Sequence, residues 1–302
     1  MSLSTSTSPT PSPASVTKAP KQRRRRAISP SQRRPNPFVY LVLGAILAAS
    51  FFPMYWSFVV ASNDNSVMAE TTPPLVPGGH LMENFQRVFD SSEFALAMMN
   101  SLIVATSVAV GNVVFASLAG FAFAKLRFKG RNALLISVIA TMMVPTQLGI
   151  IPLYILVSDL GWGGRLQALI LPALVSAFSV FWMRQAVEEN VPSELIDAAR
   201  VDGCSLLRVY WHVAVPAIRP AAAVLGVFMF MGAWNDFFWP LVVLGPENPT
   251  VPVALSTLAS GYYTDYSLVL AGATLAILPV LAIFILLARQ IVGGIMQGAV
   301  KG

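Results

Sequence analysis

The sequence predicts an all-α, polytopic membrane protein with six transmembrane helices, and three observations predict it. Charged residues are 11% of the 302 residues and hydrophobic ones 55%, whereas a soluble domain carries about 25% charged residues. So few charges cannot solvate a globule of this size, and the surplus apolar surface must face lipid. Apolar windows of bilayer-spanning length, roughly 20 residues, recur along the chain. The basic residues cluster at the ends of those windows in an alternating pattern.

Residues 1–37 are Ser, Thr, Pro and Arg with almost no large apolar side chains. They cannot bury a core, so a disordered basic tail is expected there. Arg23, Arg24, Arg25 and Arg26, then Arg33 and Arg34, lead into the first window. The apolar run 38–60 is too long for the core of a cleaved signal peptide, and no small-residue cleavage pattern closes it. An uncleaved first span is expected. Charge-free windows cover 35–63, 94–124, 132–158, 166–183 and 266–288, and a sixth, 220–246, contains one acid, Asp236. The 166–183 window is near the lower length limit, and Pro172 inside it predicts a kink. A membrane domain is thus expected over 38–290, followed by a short tail over 291–302.

The distribution of Lys and Arg sets the orientation. Eight precede the first window: Lys18, Lys21, Arg23, Arg24, Arg25, Arg26, Arg33 and Arg34. The next connections hold Arg87; then Lys125, Arg127, Lys129 and Arg131; then Arg165; then Arg184, Arg200, Arg208 and Arg219; then none. The tail holds Arg289 and Lys301, so eighteen lie on one side and two on the other. Cytoplasmic connections carry the basic excess. Both termini and the 184–219 connection are therefore expected in the cytoplasm of a cell (plasma or inner) membrane. A single missed helix would invert every later connection. The net charge of +6 serves topology in this arrangement, and no nucleic-acid partner is expected. The 61–97 connection falls outside. It carries Asp64, Glu70, Glu83, Asp90 and Glu93 against Arg87, and is expected to form a small lid stiffened at its start by Pro73, Pro74 and Pro77.

A polar, charge-bearing stretch, 190–220, lies between two apolar spans and is expected as a cytoplasmic loop. Ser193 is a candidate N-cap, with Glu194 favourable in the first turn. A short helix is expected from Glu194 to Val201. Asp202 and Gly203 break it, since glycine accepts the left-handed conformation that ends a helix. Ser205 can cap a second short helix through about Val213, on which Leu206, Val209, Tyr210 and Val213 make one apolar stripe. Pro216 and Pro220 are expected to end it. Two short helices with a glycine elbow make a compact knob; the alternative is an amphipathic segment lying on the headgroups.

These residues carry a resemblance. Glu194-Leu195-Ile196-Asp197-Ala198-Ala199, then Asp202-Gly203 and Pro216, resembles the EAA coupling loop of ABC-importer permeases. The closer pattern is the carbohydrate-type E-L-x-x-A-A-x-x-D-G-[CA] with a following V-x-x-P. Met143-Val144-Pro145-Thr146-Gln147 with Ile151-Pro152-Leu153-Tyr154 is similar to a signature of maltose-type permeases in the third span. Trp234-Asn235-Asp236-Phe237-Phe238-Trp239-Pro240-Leu241 is similar to one in the fifth. Asn100-Ser101-Leu102 and the closing Gly298-Ala299-Val300-Lys301-Gly302 also fit. The resemblance covers about residues 38–302. Its one departure is at Leu195 and Ile196, where the name-giving alanines would otherwise stand; Ala198 and Ala199 satisfy the pattern.

The resemblance implies a binding-protein-dependent carbohydrate permease with defined partners. These are a second homologous permease, a pair of cytoplasmic ATPases, an extracytoplasmic sugar-binding protein and the bilayer. The knob would seat in a cleft on the ATPase. Glu194 would pair with a basic group, Ala198 and Ala199 would keep the helix face slim, Asp202 would mark the break, and Gly203 would set the elbow angle. Movement of the ATPase pair would pass through rigid helices to the pore. The Gly-rich tail from 293 would reach between the ATPases. In maltose-type systems the sugar site belongs mainly to the other permease, so direct contact between this subunit and its substrate stays open.

Chemistry beyond binding is poorly supplied. No G-x-x-x-x-G-K-[ST] occurs, so ATP and Mg are expected on partner subunits, with no cofactor bound by this chain. His80, His212 and Cys204 do not make a metal set, and no catalytic site is expected. Polar residues inside spans are functional candidates. Asn235 and Asp236, flanked by Trp234 and Trp239, suit a sugar's hydroxyl edges and apolar ring faces; Gln147, Thr146 and Tyr154 are further candidates. Trp239 as an interface belt residue, and Asn235 and Asp236 as helix-packing groups, are the alternatives. A di- or oligosaccharide is the expected cargo, with a polyol or a glycerol phosphate compound as the alternative within the same permease type. An ion-coupled secondary transporter, which would favour ionisable midplane residues and repeated broken helices, and a membrane anchor without transport are the competing classes.

Overall fold

A computed structural model describes residues 36–299 except 70, 71, 73, 92, 261 and 262, with side chains to residue 290. Of the basic tail over 1–37, all but the last two residues lie outside the described residues, as do Glu70, Pro73 and residues 300–302. Among the described residues every regular element is a helix. The elements are α1 (Pro37–Ala61), α2 (Leu81–Ser91), α3 (Phe94–Lys125), α4 (Arg131–Thr141), α5 (Ile150–Asp159), α6 (Gln167–Ala173) and α7 (Ala177–Asn190). They continue with α8 (Ser193–Val201), α9 (Leu206–Val209), α10 (Val215–Trp234), α11 (Phe238–Val243), α12 (Val251–Ala259) and α13 (Tyr266–Ala299). The chain divides into two units, one ending at Ser50 within α1 and one beginning at Phe51. In the first unit the described part of α1 is a fully exposed apolar helix.

Four helices are long and apolar enough to cross a membrane: α1, α3, the run Leu206–Trp234, and α13. The pairs α4–α5 and α6–α7 raise the number to six if each bent pair is one span. The six sequence windows map onto these in order. The third window is not one rod, because its halves meet at 90°. Pro145 lacks an N–H and pushes Val144 out of the helical region, so the ladder ends there. The fourth bends by 43° between Ala173 and Ala177, just after Pro172. The fifth stops at Trp234; Asn235, Asp236 and Phe237 form a break before α11. Two short helices went unpredicted. One is α12. The other is α2, a strongly amphipathic helix in the connection between α1 and α3 that packs on α13.

The connection between α1 and α3 is stitched rather than merely stiffened by proline. Asn84, 2% exposed, donates from Nδ2 to the Ala61 and Asn63 carbonyls, both at 2.9 Å. Arg87 donates to Asn84 Oδ1 at 3.1 Å and pairs with Asp265 at 2.6 Å, tying α2 to the start of α13.

The core of the second unit forms around α3, which packs on α7 and α10. A β-carbon at Gly120 would lie 2.6 Å from the Arg184 backbone nitrogen, so only glycine permits the α3–α7 crossing. Eight residues earlier sits Asn112, buried beside the bend between α6 and α7. Its Nδ2 donates to the Val108 carbonyl at 3.0 Å and the Ala173 carbonyl at 2.6 Å. Its Oδ1 accepts from the Ser176 N–H at 3.1 Å and the Ser179 hydroxyl at 2.7 Å. All four bonding positions of the amide are thereby used, two of them on backbone groups freed by the bend. Ser176 caps α7 by accepting from the Ser179 N–H.

Asn112→Leu is expected to lower stability by about 1–3 kcal/mol for each group left buried and unpaired. Thermal unfolding of the detergent-purified protein checks this; an unchanged midpoint would mean that the bend is held by packing alone.

Candidate functional site

The loop over 190–220 forms a two-helix knob much as its sequence dictates, with two corrections. First, α8 begins at Ser193 itself, and Pro192 occupies the cap position without a side-chain capping bond. Proline's fixed φ and absent N–H suit a helix start, which displaces the serine by one residue. Second, the segment after Ser205 does not stop at Pro216 or Pro220. It runs as one span from Leu206 to Trp234. The ladder is shifted there by a π turn over Tyr210–Ala214, and the Val215 N–H reaches the Tyr210 carbonyl. The widened turn directly before Pro216 gives its ring room.

The elbow is as expected. Gly203 sits at φ 77°, the left-handed region glycine favours. The Asp202 N–H donates to the Ala198 carbonyl at 3.0 Å, and the Cys204 N–H to the Ala199 carbonyl at 2.9 Å. Ser205 caps the next helix by accepting from the Arg208 N–H at 3.4 Å. Of α8 only Ile196 is buried. Glu194, Ala198, Asp202 and Gly203 are exposed and Ala199 half-buried, so the five candidate residues share one protruding element. The structure adds large apolar side chains that the sequence pattern did not single out. Val201 is 88% exposed and Leu207 66%, with Leu195 and Trp211 also open. Only their solvent exposure marks them, and it was hidden while Leu206, Val209 and Tyr210 were read as one stripe. Val209 and Tyr210 are buried, whereas Leu206 is open. His212 takes a local role, its ring Nδ1 lying 3.0 Å from the Arg208 carbonyl.

The second candidate group is divided. Asn235 is exposed, and its Nδ2 donates to the Met231 carbonyl at 2.8 Å. Asp236 is half-buried beside it, and its Oδ1 accepts from the Trp239 N–H at 3.5 Å. Trp234 is 3% exposed and stacks on Phe230 at 5.5 Å, so its face serves helix packing. Trp239 donates its indole N–H to the Ala168 carbonyl at 3.1 Å, fastening α11 to α6. Gln147 and Tyr154 are exposed, Gln147 in the 3-10 turn Thr146–Gly149 and Tyr154 on α5. Helix α11, which follows Asp236 by two residues, packs on α5, which carries Tyr154, although among the described residues no hydrogen bond joins the side chains of the two sets. Among the described residues no His, Cys, Asp and Glu group could hold a metal.

The Asn100-Ser101 signature has a clear structural reason. Asn100 donates to Asn248 Oδ1 at 2.7 Å and to the Pro249 carbonyl at 2.9 Å. Ser101 Oγ accepts from the Val251 N–H at 2.8 Å. Both hold the connection between α11 and α12 against α3.

Residues 112–295 match the family described as binding-protein-dependent transport system inner membrane component. The chain is 34% identical over 271 residues to the lactose transport system permease protein LacG of Rhizobium radiobacter, covering 89% of this chain and 98% of that one. It is 33% identical over 228 residues to the arabinooligosaccharides transport system permease protein AraQ of Halalkalibacterium halodurans, covering 75% and 81%. It is 30% identical over 268 residues to the sn-glycerol-3-phosphate transport system permease protein UgpE of Yersinia enterocolitica, covering 86% and 94%. The fold matches a chain of a bacterial ABC transporter involved in the import of the acidic polysaccharide alginate, with a TM-score of 0.72 and 22% identity, covering 86% of this chain and 98% of that one. The helical membrane frame and these matches define a class, the transport permeases of ABC importers. The chain belongs to the family of inner membrane components of binding-protein-dependent transport systems.

A β-carbon at Gly203 would meet open space, so Gly203→Ala carries backbone strain alone, about 1–2 kcal/mol. Amide hydrogen exchange at residues 204–209 is expected to quicken roughly 5–30-fold; unchanged exchange would show that the elbow does not depend on the left-handed residue.

Proposed function

We propose that this chain is the permease subunit of an ATP-driven carbohydrate importer, forming half of the translocation pathway and receiving movement through the α8–elbow–α9 knob. The observation that carries the coupling role is the exposure of that knob. Its helix buries one residue, and it presents Glu194, Ala198, Val201, Asp202, Gly203 and Leu207 outward. An apolar ridge beside a carboxylate fits a cleft on another protein better than it fits water. Glu194 pairs with a basic group there, Ala198 and Ala199 allow close approach, and Gly203 fixes the angle between the two helices.

Hydrolysis belongs to partner subunits in this reading, with ATP and Mg held there, since the sequence carries no phosphate-binding loop. Two cytoplasmic ATPases, a second homologous permease and an extracytoplasmic binding protein complete the assembly. The basic excess supports placing both termini and the knob in the cytoplasm. Asn235, Asp236, Gln147 and Tyr154 are the side chains proposed to touch the pathway, with Trp234 packing behind them.

A di- or oligosaccharide is the cargo supported by the lactose and arabinooligosaccharide permeases among the relatives. A glycerol phosphate compound is the second reading, favoured by the sn-glycerol-3-phosphate permease among them.

Reconstitution with the partner permease, the ATPases and the binding protein tests both points. ATP-dependent uptake of lactose or an arabino-oligosaccharide is expected; uptake of sn-glycerol-3-phosphate instead would select the second cargo. Uptake by this chain alone, driven by an ion gradient, would overturn the reading. Gly203→Pro is expected to leave the protein in the membrane and abolish capture of the ATPase, so normal co-purification of the ATPase with that variant counts against the coupling role.

A further inference from the structure

The rod that leaves the knob contains a fault. From Leu206 to Trp234 the chain is helical throughout, yet the five residues Tyr210–Ala214 form a π turn. Such turns are rare and recur at functional positions. Each inserts one residue into the helical count. Annealing it to ordinary helix rotates the two flanking segments against each other by about 100° and shifts them by about 1.5 Å, and moving it along the rod does the same to the stretch it passes. A push or twist applied at the elbow therefore has two routes. It can turn α10 as a rigid body, or it can be absorbed in the fault.

Tyr210, the first residue of the turn, is pinned. Its ring is 3% exposed and meets Phe121 of α3 edge-on at 5.6 Å and Trp211 at 5.1 Å. Its hydroxyl lies 2.6 Å from Ser117 Oγ, 93 residues away in sequence. Ser117 is on α3 and 4% exposed. Its Oγ also lies 3.0 Å from the Val114 carbonyl, to which it donates. A serine has one hydroxyl proton, so the bond between the two side chains runs from Tyr210 as donor to Ser117 as acceptor. This buried side-chain bond crosses from the faulted turn to the helix that packs on both α7 and α10.

We propose that the Tyr210–Ser117 bond is a strut that holds the π turn in place against α3, so that movement of the elbow reaches α10 and is not lost in the turn. The proposal rests on the reading of the elbow as the ATPase contact. Tyr210 is then a positioning residue for transport. It touches neither nucleotide nor cargo, and it is absent from the exposed face of the knob. Losing its hydroxyl leaves capture of the ATPase intact and wastes part of the ATP turned over.

The test uses the full complex in proteoliposomes, with Tyr210→Phe, Ser117→Ala and the double variant. Tyr210→Phe keeps the ring and its packing, and a thermal midpoint measured on each sample confirms folding. Uptake and ATP hydrolysis are read on the same vesicles, with whichever of lactose, an arabino-oligosaccharide or sn-glycerol-3-phosphate the wild-type complex imports. ATPase co-purification and hydrolysis are expected to stay within about twofold of wild type. The ratio of cargo imported to ATP hydrolysed is expected to fall about fivefold or more in each single variant. The double variant is expected to be no worse than either single one, because both remove the same bond. An unchanged ratio in the single variants, or losses that multiply in the double, overturns the strut. Failure of the underlying coupling reading is distinguishable, because the wild-type chain would then not capture the ATPase at all.

Discussion

Close approach to α3 is the constraint on which the second unit depends. This helix buries Ala97, Ala105, Ala109, Ala116, Gly111 and Gly120 along its length. In lipid there is little hydrophobic drive between helices, so association relies on tight packing and interhelical hydrogen bonds. Small residues bring backbones close, and the few polar ones placed among them then reach across. Asn100 and Ser101 hold the connection between α11 and α12, Asn112 the bend between α6 and α7, and Ser117 the π turn. A larger side chain at Gly111 would run into Leu174 beside that bend. The polar bonds are therefore available only because the small residues clear the way for them.

Much of this was legible in the sequence because membrane solvation leaves a strong one-dimensional trace. The six apolar windows correspond in order to the long apolar helices and the two bent pairs. Pro172 announced a bend close to where the structure has it. The elbow at Gly203 and the cap at Ser205 were readable because local backbone chemistry decides both. What was not legible was decided by groups distant in sequence. A bond between residues 93 apart leaves no trace in local periodicity, so Tyr210 read only as one member of an apolar stripe. The run through Pro216 and Pro220 was hidden because the widening that accommodates the first proline is a tertiary feature. Amphipathic α2 carries a helical pattern that the expectation of a proline-stiffened lid passed over, and α12, nine residues long, is too short for its period to stand out.

The two tryptophans near the fifth break show how composition misleads about role. Both stood beside polar residues in a manner suited to a sugar. Trp234 instead stacks on Phe230, and Trp239 spends its single donor on the Ala168 carbonyl. Both therefore take packing contacts on either side of the break that carries Asn235 and Asp236.

The right-angled interruption between α4 and α5 carries a consequence for how the protein can exist. Hydrocarbon tolerates an interrupted backbone only where protein covers it or water reaches it. Around this interruption Met143 is 85% exposed and Leu148 70%, so the chain itself leaves it bare. A solitary copy in a bilayer is in that sense unfinished. A break of this kind is tolerated in a bilayer where an aqueous cavity or covering protein meets the sides that the chain leaves open.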